Sequence, residues 1–453
     1  MKKDKKKEQK VVEMDAFEQI NHNAAGIDVG AEEFYVAVPK GRDTQSVRTF
    51  PTFTADIHRL ADWLAQCGVK TVAIESTGVY WIPLYEILEK RGFEVYLVNA
   101  RHLKNVTGRK TDVLDCQWLQ QLHTYGLLRA SFRPSEQICA LRSLVRHRDM
   151  LVAYRSAHIQ HMQKALNLMN VRLTNVLSDI TGVTGMKIMR AIVSGERNRK
   201  TLAGYRDAKC AKSEEEIEKS LEGNYKAEHL FVLKQALELF DFYDQQIQRC
   251  DQELETLYHE FEEPDQPGTP APEKRKRKRR KNQPHFDLSE SLYRMTGGID
   301  LTKIEGLDAL TVQEVLSETG TDMNKWPTVK HFASWLCLAP NNKITGVKVK
   351  SSHTPHTKNR ASTAFRLAAQ SLMKSKSALG AYCRRMAALH DAPTAITATA
   401  HKLAKIFYFM LKRREAYRPL AADYYEKEHR DKVVRSLQRR AASLGFRLET
   451  VTS

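Results

Sequence analysis

Two stretches of this chain, residues 135–171 and 227–261, run without a glycine or a proline, and their apolar residues recur at helical spacing. A helix stops where the sequence supplies a breaker, so each stretch predicts one long amphipathic helix. With shorter helical patterns between them, the two predict an extended hairpin or coiled-coil arm over residues 131–261. Such an arm either dimerises or folds back on itself. It also divides the chain, because the segments before and after it must find cores of their own. A chain of 453 residues is long enough for that.

Residues 22–130 read differently. NAAGIDVG, EFYVAVPK and VRTFPTF are dense in β-branched and aromatic residues and predict three strands. DIHRLADWLAQCG is helical and stops at Gly68, TVAIES is a short buried-type strand, and VYWIPLYEILEKRG is a helix closed by Gly92. FEVYLVNA and DVLDCQWLQQLHTYG repeat the pair. Alternation of this kind predicts an α/β layered domain.

Beyond the arm, residues 262–285 hold five prolines and the run KRKRKRRK at 274–281, which reads as a linker. Residues 286–415 predict a second, mostly helical globular unit, and 416–453 a charged helical tail. The net charge of +18 is uneven: residues 1–21 begin with a lysine-rich tail, and 274–281 are all basic. Such an excess favours a polyanionic partner. No segment approaches the roughly 18 apolar residues of a membrane span. The seven cysteines form no CxxC pair, which fits a reducing cytoplasm and carries no zinc signature.

Four acids stand out against this background. Asp28 lies in an apolar run that turns at Gly30, Glu75 ends TVAIE, and Asp112 and Asp115 sit three apart in KTDVLDCQWL. Residues three apart share a helix face. Acids held that close repel unless a proton or a cation intervenes. Mg²⁺ suits such a group, since it prefers oxygen ligands and bridges phosphate oxygens. Taken singly, each acid also reads as a helix cap or a surface residue; Asp112, at a helix start, is explained by the helix dipole alone.

GIDVG, then AIESTGVYWIPLYEIL, then VNARHLKNVTGRKTDVLDCQWLQQL resembles the RuvC-like DEDD domain of the bridge-RNA-guided insertion-sequence transposases (the IS one-ten family, with the Piv invertases). IEGLDALTVQEVLSETG, HFASWLCLAPNNKITG and KNRASTAFRLAAQSL are similar to that family's C-terminal transposase domain, in the same order. The resemblance implies an RNase H-like α/β fold for the first domain, with Asp28, Glu75, Asp112 and Asp115 binding Mg²⁺ or Mn²⁺. It implies a hydroxyl nucleophile in the second domain that links covalently to DNA. The family's serine precedes a glycine; here Thr345 precedes Gly346. Threonine keeps the hydroxyl but adds a β-methyl that restricts χ1. Ser351 and Ser352 are the alternative hydroxyls. As partners the resemblance implies target and donor DNA, a structured bridge RNA, and further copies of the chain as a dimer and a tetramer at the synapse. It places the protein in a bacterial or archaeal cytoplasm, at the nucleoid.

Around the candidate nucleophile, Lys343, Lys348, Lys350, Lys358, Arg360 and Arg366 form a basic stretch suited to phosphate. Gly306, before a helical pattern, resembles the turn of a helix-hairpin-helix DNA module. Trp81, Trp118 and Trp335 lie in apolar helical patterns and read as core. Two other functions stay open on the sequence. One is a metal-dependent, structure-specific DNA nuclease without a covalent step. The other is a catalytically silent nucleic-acid-binding regulator.

Overall fold

The structure, a computed structural model, describes residues 18–99, 112–261, 282–346, 348–419, 421, 424–447 and 449. The lysine-rich start of the chain, the basic run 274–281 and most of the proline-rich linker lie outside the described residues. The chain divides into two units, Met1–Arg133 and Pro134–Ser453, and each is taken by itself.

In the first unit β1 (Ala24–Val29), β2 (Glu33–Ala37) and β3 (Val47–Pro51) form an antiparallel meander. α1 (Thr54–Gln66) returns the chain to β4 (Thr71–Glu75), which lies parallel to β1. α2 (Trp81–Lys90) returns it to β5 (Glu94–Val98), parallel to β4. The sheet order is β3-β2-β1-β4-β5. Gly30 allows the tight β1–β2 turn, because a Cβ there would stand 2.7 Å from the Glu33 carbonyl oxygen. Gly68 and Gly92 end the two helices at φ +68° and +86°, as their sequence positions predict. β1 and β4 are buried nearly end to end, as expected of parallel strands covered on both faces. Ile27, Phe34, Leu60, Leu64, Ile74 and Leu84 pack the face under α1 and α2. The other face is covered by α3 (Asp112–Thr124), through Ala73, Val98 and Leu119.

The second unit opens with α4 (Glu136–Leu168) and contains α6 (Ala227–His259), with α5 (Val183–Val193) between them. α4 and α6 pack against each other within the chain as an antiparallel pair. Arg148 pairs with Asp251, and Arg155 with Asp244. The Arg148 pair is almost fully buried, and Asp251 also accepts the His285 backbone N–H at 3.1 Å. At the far end of the pair, residues 169–226 fold into a cap with its own core of Met162, Leu166, Ile188, Met189, Leu233 and Leu237.

At the near end the pair joins the C-terminal helices. These are α7 (Leu288–Met295), α8 (Ala309–Thr319), α9 (Val329–Trp335), α10 (Arg360–Ser371), α11 (Ala378–Leu389), α12 (Ala392–Arg413) and α13 (Tyr424–Ser443). Glu318 of α8 takes three hydrogen bonds from Arg146 at 2.8–2.9 Å, and Gln313 donates to the Tyr258 hydroxyl at 3.1 Å. A short antiparallel ribbon, β6 (Lys343–Thr345) and β7 (Lys348–Ser351), stands between α9 and α10 in sequence. The N-terminal unit is therefore a mixed α/β sheet with helices, and the C-terminal region is mostly helical.

Two expectations change. Trp81, Trp118 and Trp335 are half-buried, and the tryptophans of the core are Trp63 and Trp326. Trp81 still packs against the core under α1 and α2, and it also offers its ring to Arg133, whose guanidinium lies 5.8 Å from the ring centroid. The turn at Gly306 (φ +89°) is packed against α10, where a Cβ would meet Leu372 at 3.0 Å and the Ala368 carbonyl at 3.1 Å. The α8 N-terminus is capped by Asp308, which accepts from the Thr311 N–H at 3.0 Å. Close packing accounts for this glycine.

Candidate active site

Strand parity brings the first two acids together. Successive side chains on a strand point to opposite faces. On β1, Ala25, Ile27 and Val29 face α1 and α2, which leaves Gly26 and Asp28 on the α3 side. On β4, Val72 and Ile74 belong to the first face, and Thr71, Ala73 and Glu75 to the second. The parallel register sets Gly26 opposite Ala73 and Ile27 opposite Ile74. Asp28 and Glu75 are the next residues of the two strands, at their C-terminal ends and on the α3 face. Both are half-buried.

α3 lies across this face, antiparallel to β1. The Thr124 carbonyl accepts from the Ile20 and Asn21 N–H groups at 2.9 Å, and Gln120 Nε2 donates to the Ala24 carbonyl at 3.4 Å. The last turn of α3 therefore sits at the start of β1. Its first turn, which carries Asp112 and Asp115, sits at the Asp28 end. Gly26 permits the approach: a Cβ there would stand 2.3 Å from the Gln120 nitrogen and 2.5 Å from the Cys116 oxygen. Glycine inside a strand commonly marks such a close backbone contact.

Cys116 reports on the acids around it. Its buried thiol is pushed up to about 12, first by burial, then by the Asp28 carboxylate, with Asp115 adding to the effect. A strand acid and a helix acid thus act on one sulfur atom. Asp115 is half-buried; Asp112 is the first residue of α3, and its side chain lies outside the described residues. Among the described residues, no three His, Cys, Asp or Glu side chains are grouped to hold a metal ion.

The candidate hydroxyls lie in the second unit. Thr345 is exposed at the end of β6, opposite Lys348, and leads into Gly346 at φ +60°. Directly opposed residues share one face of a ribbon, so Thr345 and Lys348 start from the same side. Ser351 ends β7 half-buried, and Ser352 is exposed. Lys343, Lys348, Lys350 and Lys358 are exposed. Arg360 is held by Asp149 and Glu314. Arg366 donates to the Cys337 carbonyl at 3.3 Å, and its buried Nε has no hydrogen-bond partner among the described residues.

Two family models match the chain. A DEDD transposase model of IS110 elements covers residues 25–171, and a model of the transposase IS116/IS110/IS902 family covers residues 300–384. The chain belongs to the IS110 transposase family. No curated protein matches it. The first match runs through all four acids and into α4, and the second takes in the β6–β7 ribbon. The two matched domains support a DNA transposase or recombinase function for this IS110-family chain, with DNA as substrate. No described helix is long and apolar enough to cross a membrane.

DEDD transposases typically use a divalent metal, and the donor chemistry here fits one. The acids are hard oxygen donors, the ligand class such a cation takes. Sequence reading missed Gly26 and Cys116, which set the height of α3 over the acids. A glycine in the middle of AAGIDV was the available signal.

Proposed function

We propose that this IS110-family transposase cuts and rejoins DNA strands through an acidic site and a hydroxyl nucleophile, guided by a structured bridge RNA. The observation that carries the reading is that Asp28 and Glu75 follow the last paired residues of β1 and β4 on the face covered by α3, with the first turn of α3 at the same end. A sheet whose parallel strands deliver two acids beneath an acid-bearing helix is what an RNase H-like (RuvC-like) domain requires. Asp28, Glu75, Asp112 and Asp115 would hold Mg²⁺ or Mn²⁺. When bound, the cation supplies charge neutralisation at the phosphate oxygens and the leaving oxygen.

The protein's own groups supply the rest. The Thr345 oxygen attacks phosphorus and loses its proton, a phosphothreonine ester forms, and the 3′ oxygen leaves and takes up a proton. Attack by a 3′ hydroxyl of a second strand reverses these steps and rejoins the DNA. Lys348, across the ribbon from Thr345, draws the scissile phosphate to that hydroxyl. Lys343, Lys350 and Lys358 hold the flanking backbone, and Arg360 and Arg366 brace the segment from within. Base pairing by the RNA reads the DNA sequence, while the protein reads backbone and shape. Further copies of the chain, a dimer and then a tetramer at the synapse, meet through the α4–α6 arm.

The test is a denaturation-resistant protein–DNA adduct formed with cognate RNA, Mg²⁺ and labelled DNA. The adduct is expected to vanish in Thr345→Ala and in Asp28→Asn, and to form faster in Thr345→Ser, where the hindering methyl is gone. Lys348→Ala is expected to slow it by about tenfold, the loss of one charge-assisted phosphate contact. Adduct formation that survives Thr345→Ala and fails in Ser351→Ala or Ser352→Ala would move the nucleophile to the serines. Cleavage without any adduct would favour the nuclease reading, because the acids alone can support hydrolysis.

A further inference from the structure

α12 keeps one face out of the core. Lys402, Lys405, Ile406 and Phe409 follow one another at the spacing of a single helical stripe, and none of them is fully buried. Leu403, Ala404, Phe407 and Tyr408, on the other side, are buried. Residues 415–418 and Tyr425 of α13 form a facing wall, and a cleft of about 450 Å³ lies between. Its floor is apolar, from Ile406, Phe409 and Met410. Its rim carries Lys402, Lys405 and Arg418 against one acid, Glu415. The cleft lies beyond both segments that match family models.

Rings and cations already alternate there. Lys402 Nζ stands 4.3 Å from the Tyr425 ring centroid and 4.5 Å from that of Tyr382. The Arg413 guanidinium lies 4.5 Å over Phe409. The Tyr417 hydroxyl donates to Glu305, which fixes that ring in the wall. An unpaired base needs an aromatic or guanidinium surface to stack on, and its phosphate needs a nearby cation. A duplex keeps its base faces stacked inside and has nothing to offer such a floor. The volume falls in the range of small-ligand sites, about 300–1,000 Å³, which suits one or two nucleotides.

We propose that this cleft binds an unpaired nucleotide of a single-stranded nucleic acid segment, with its base against Phe409 and Tyr417 and its phosphate on Lys405 and Arg418. The site requires neither the acids nor Thr345. An unpaired RNA loop and a displaced DNA strand present the same chemistry, and separate probes tell them apart.

The full-length protein is titrated with fluorescent hexauridylate and hexathymidylate, and with a duplex control. Each single strand also carries one 5-iodouracil for photo-cross-linking. Cross-links are expected on peptides containing Phe409, Tyr417 or Tyr425. Lys405→Ala/Arg418→Ala and Phe409→Leu, which removes the ring but stays apolar, are each expected to weaken single-strand binding by about tenfold, with little change in melting temperature. Tighter binding of hexauridylate names an RNA occupant, and tighter binding of hexathymidylate a displaced DNA strand. The proposal is overturned if cross-links map only elsewhere, or if both variants bind single strands as tightly as the parent. The readout is hexamer binding and cross-linking without strand cleavage, so this test fails or succeeds apart from the strand-transfer reading.

Discussion

Gly26 shows how one missing side chain positions a site. Any Cβ there collides with α3 backbone atoms, which cannot swing aside as a side chain can. Gly26→Ala must therefore lift α3 from the sheet. The expected loss is about 1–3 kcal/mol in urea unfolding, the usual range for overpacking. Strand cleavage should fall further than stability, because the first turn of α3 moves relative to Asp28. His123, near the other end of α3, gives a pH test. Burial pulls its imidazole down from 6.5 to about 4, and its Nε2 lies 2.8 Å from the Thr71 hydroxyl. The unfolded chain binds this proton more readily than the folded one. Stability is therefore full above about 6.5 and falls as the pH drops towards about 4. His123→Gln is expected to remove that part of the acid limb, measured as urea midpoints between these values.

Among the elements, the strands and helices of the first unit were legible because their apolar residues alternate or recur with a clear period, and because Gly68 and Gly92 mark helix ends. The β6–β7 ribbon was not. Its residues from Lys343 to Thr345 are all exposed, so no buried face imprints a period of two, and the sequence reads only as a basic stretch. The two long helices were legible, but their partner was not: Arg146 to Glu318 and Gln313 to Tyr258 are contacts between residues far apart in the chain. The face that Asp28 and Glu75 share depends on strand parity and on the β1–β4 register, which no local pattern encodes. Within the α4–α6 pair, Asp251→Ala strands the Arg148 guanidinium in a buried position. Breaking such a pair costs about 3–5 kcal/mol. Thermal unfolding of the variant should show the loss, while Asp241→Ala, which frees the half-exposed Arg190, should cost less than about 1 kcal/mol.

For the molecule as a whole, charge governs association. The chain carries +18 overall, and residues 274–281 hold eight of its basic side chains. Each phosphate neutralised releases counterions, so affinity falls steeply with salt. Deleting 274–281 is expected to flatten the plot of log affinity against log salt between roughly 50 and 200 mM, as read by filter binding. Adduct chemistry at saturating DNA should persist.

The paired ions of α4 and α6 bear on reach. Arg148 and Arg155 are seven residues apart, and so are Asp244 and Asp251. A single inserted residue between the arginines would turn one of them away by about 100°. Seven residues added to both helices would keep every partner in phase and carry the cap about 10 Å further out. The arm behaves as a graduated ruler whose smallest division is the heptad, so its length can change only in whole divisions.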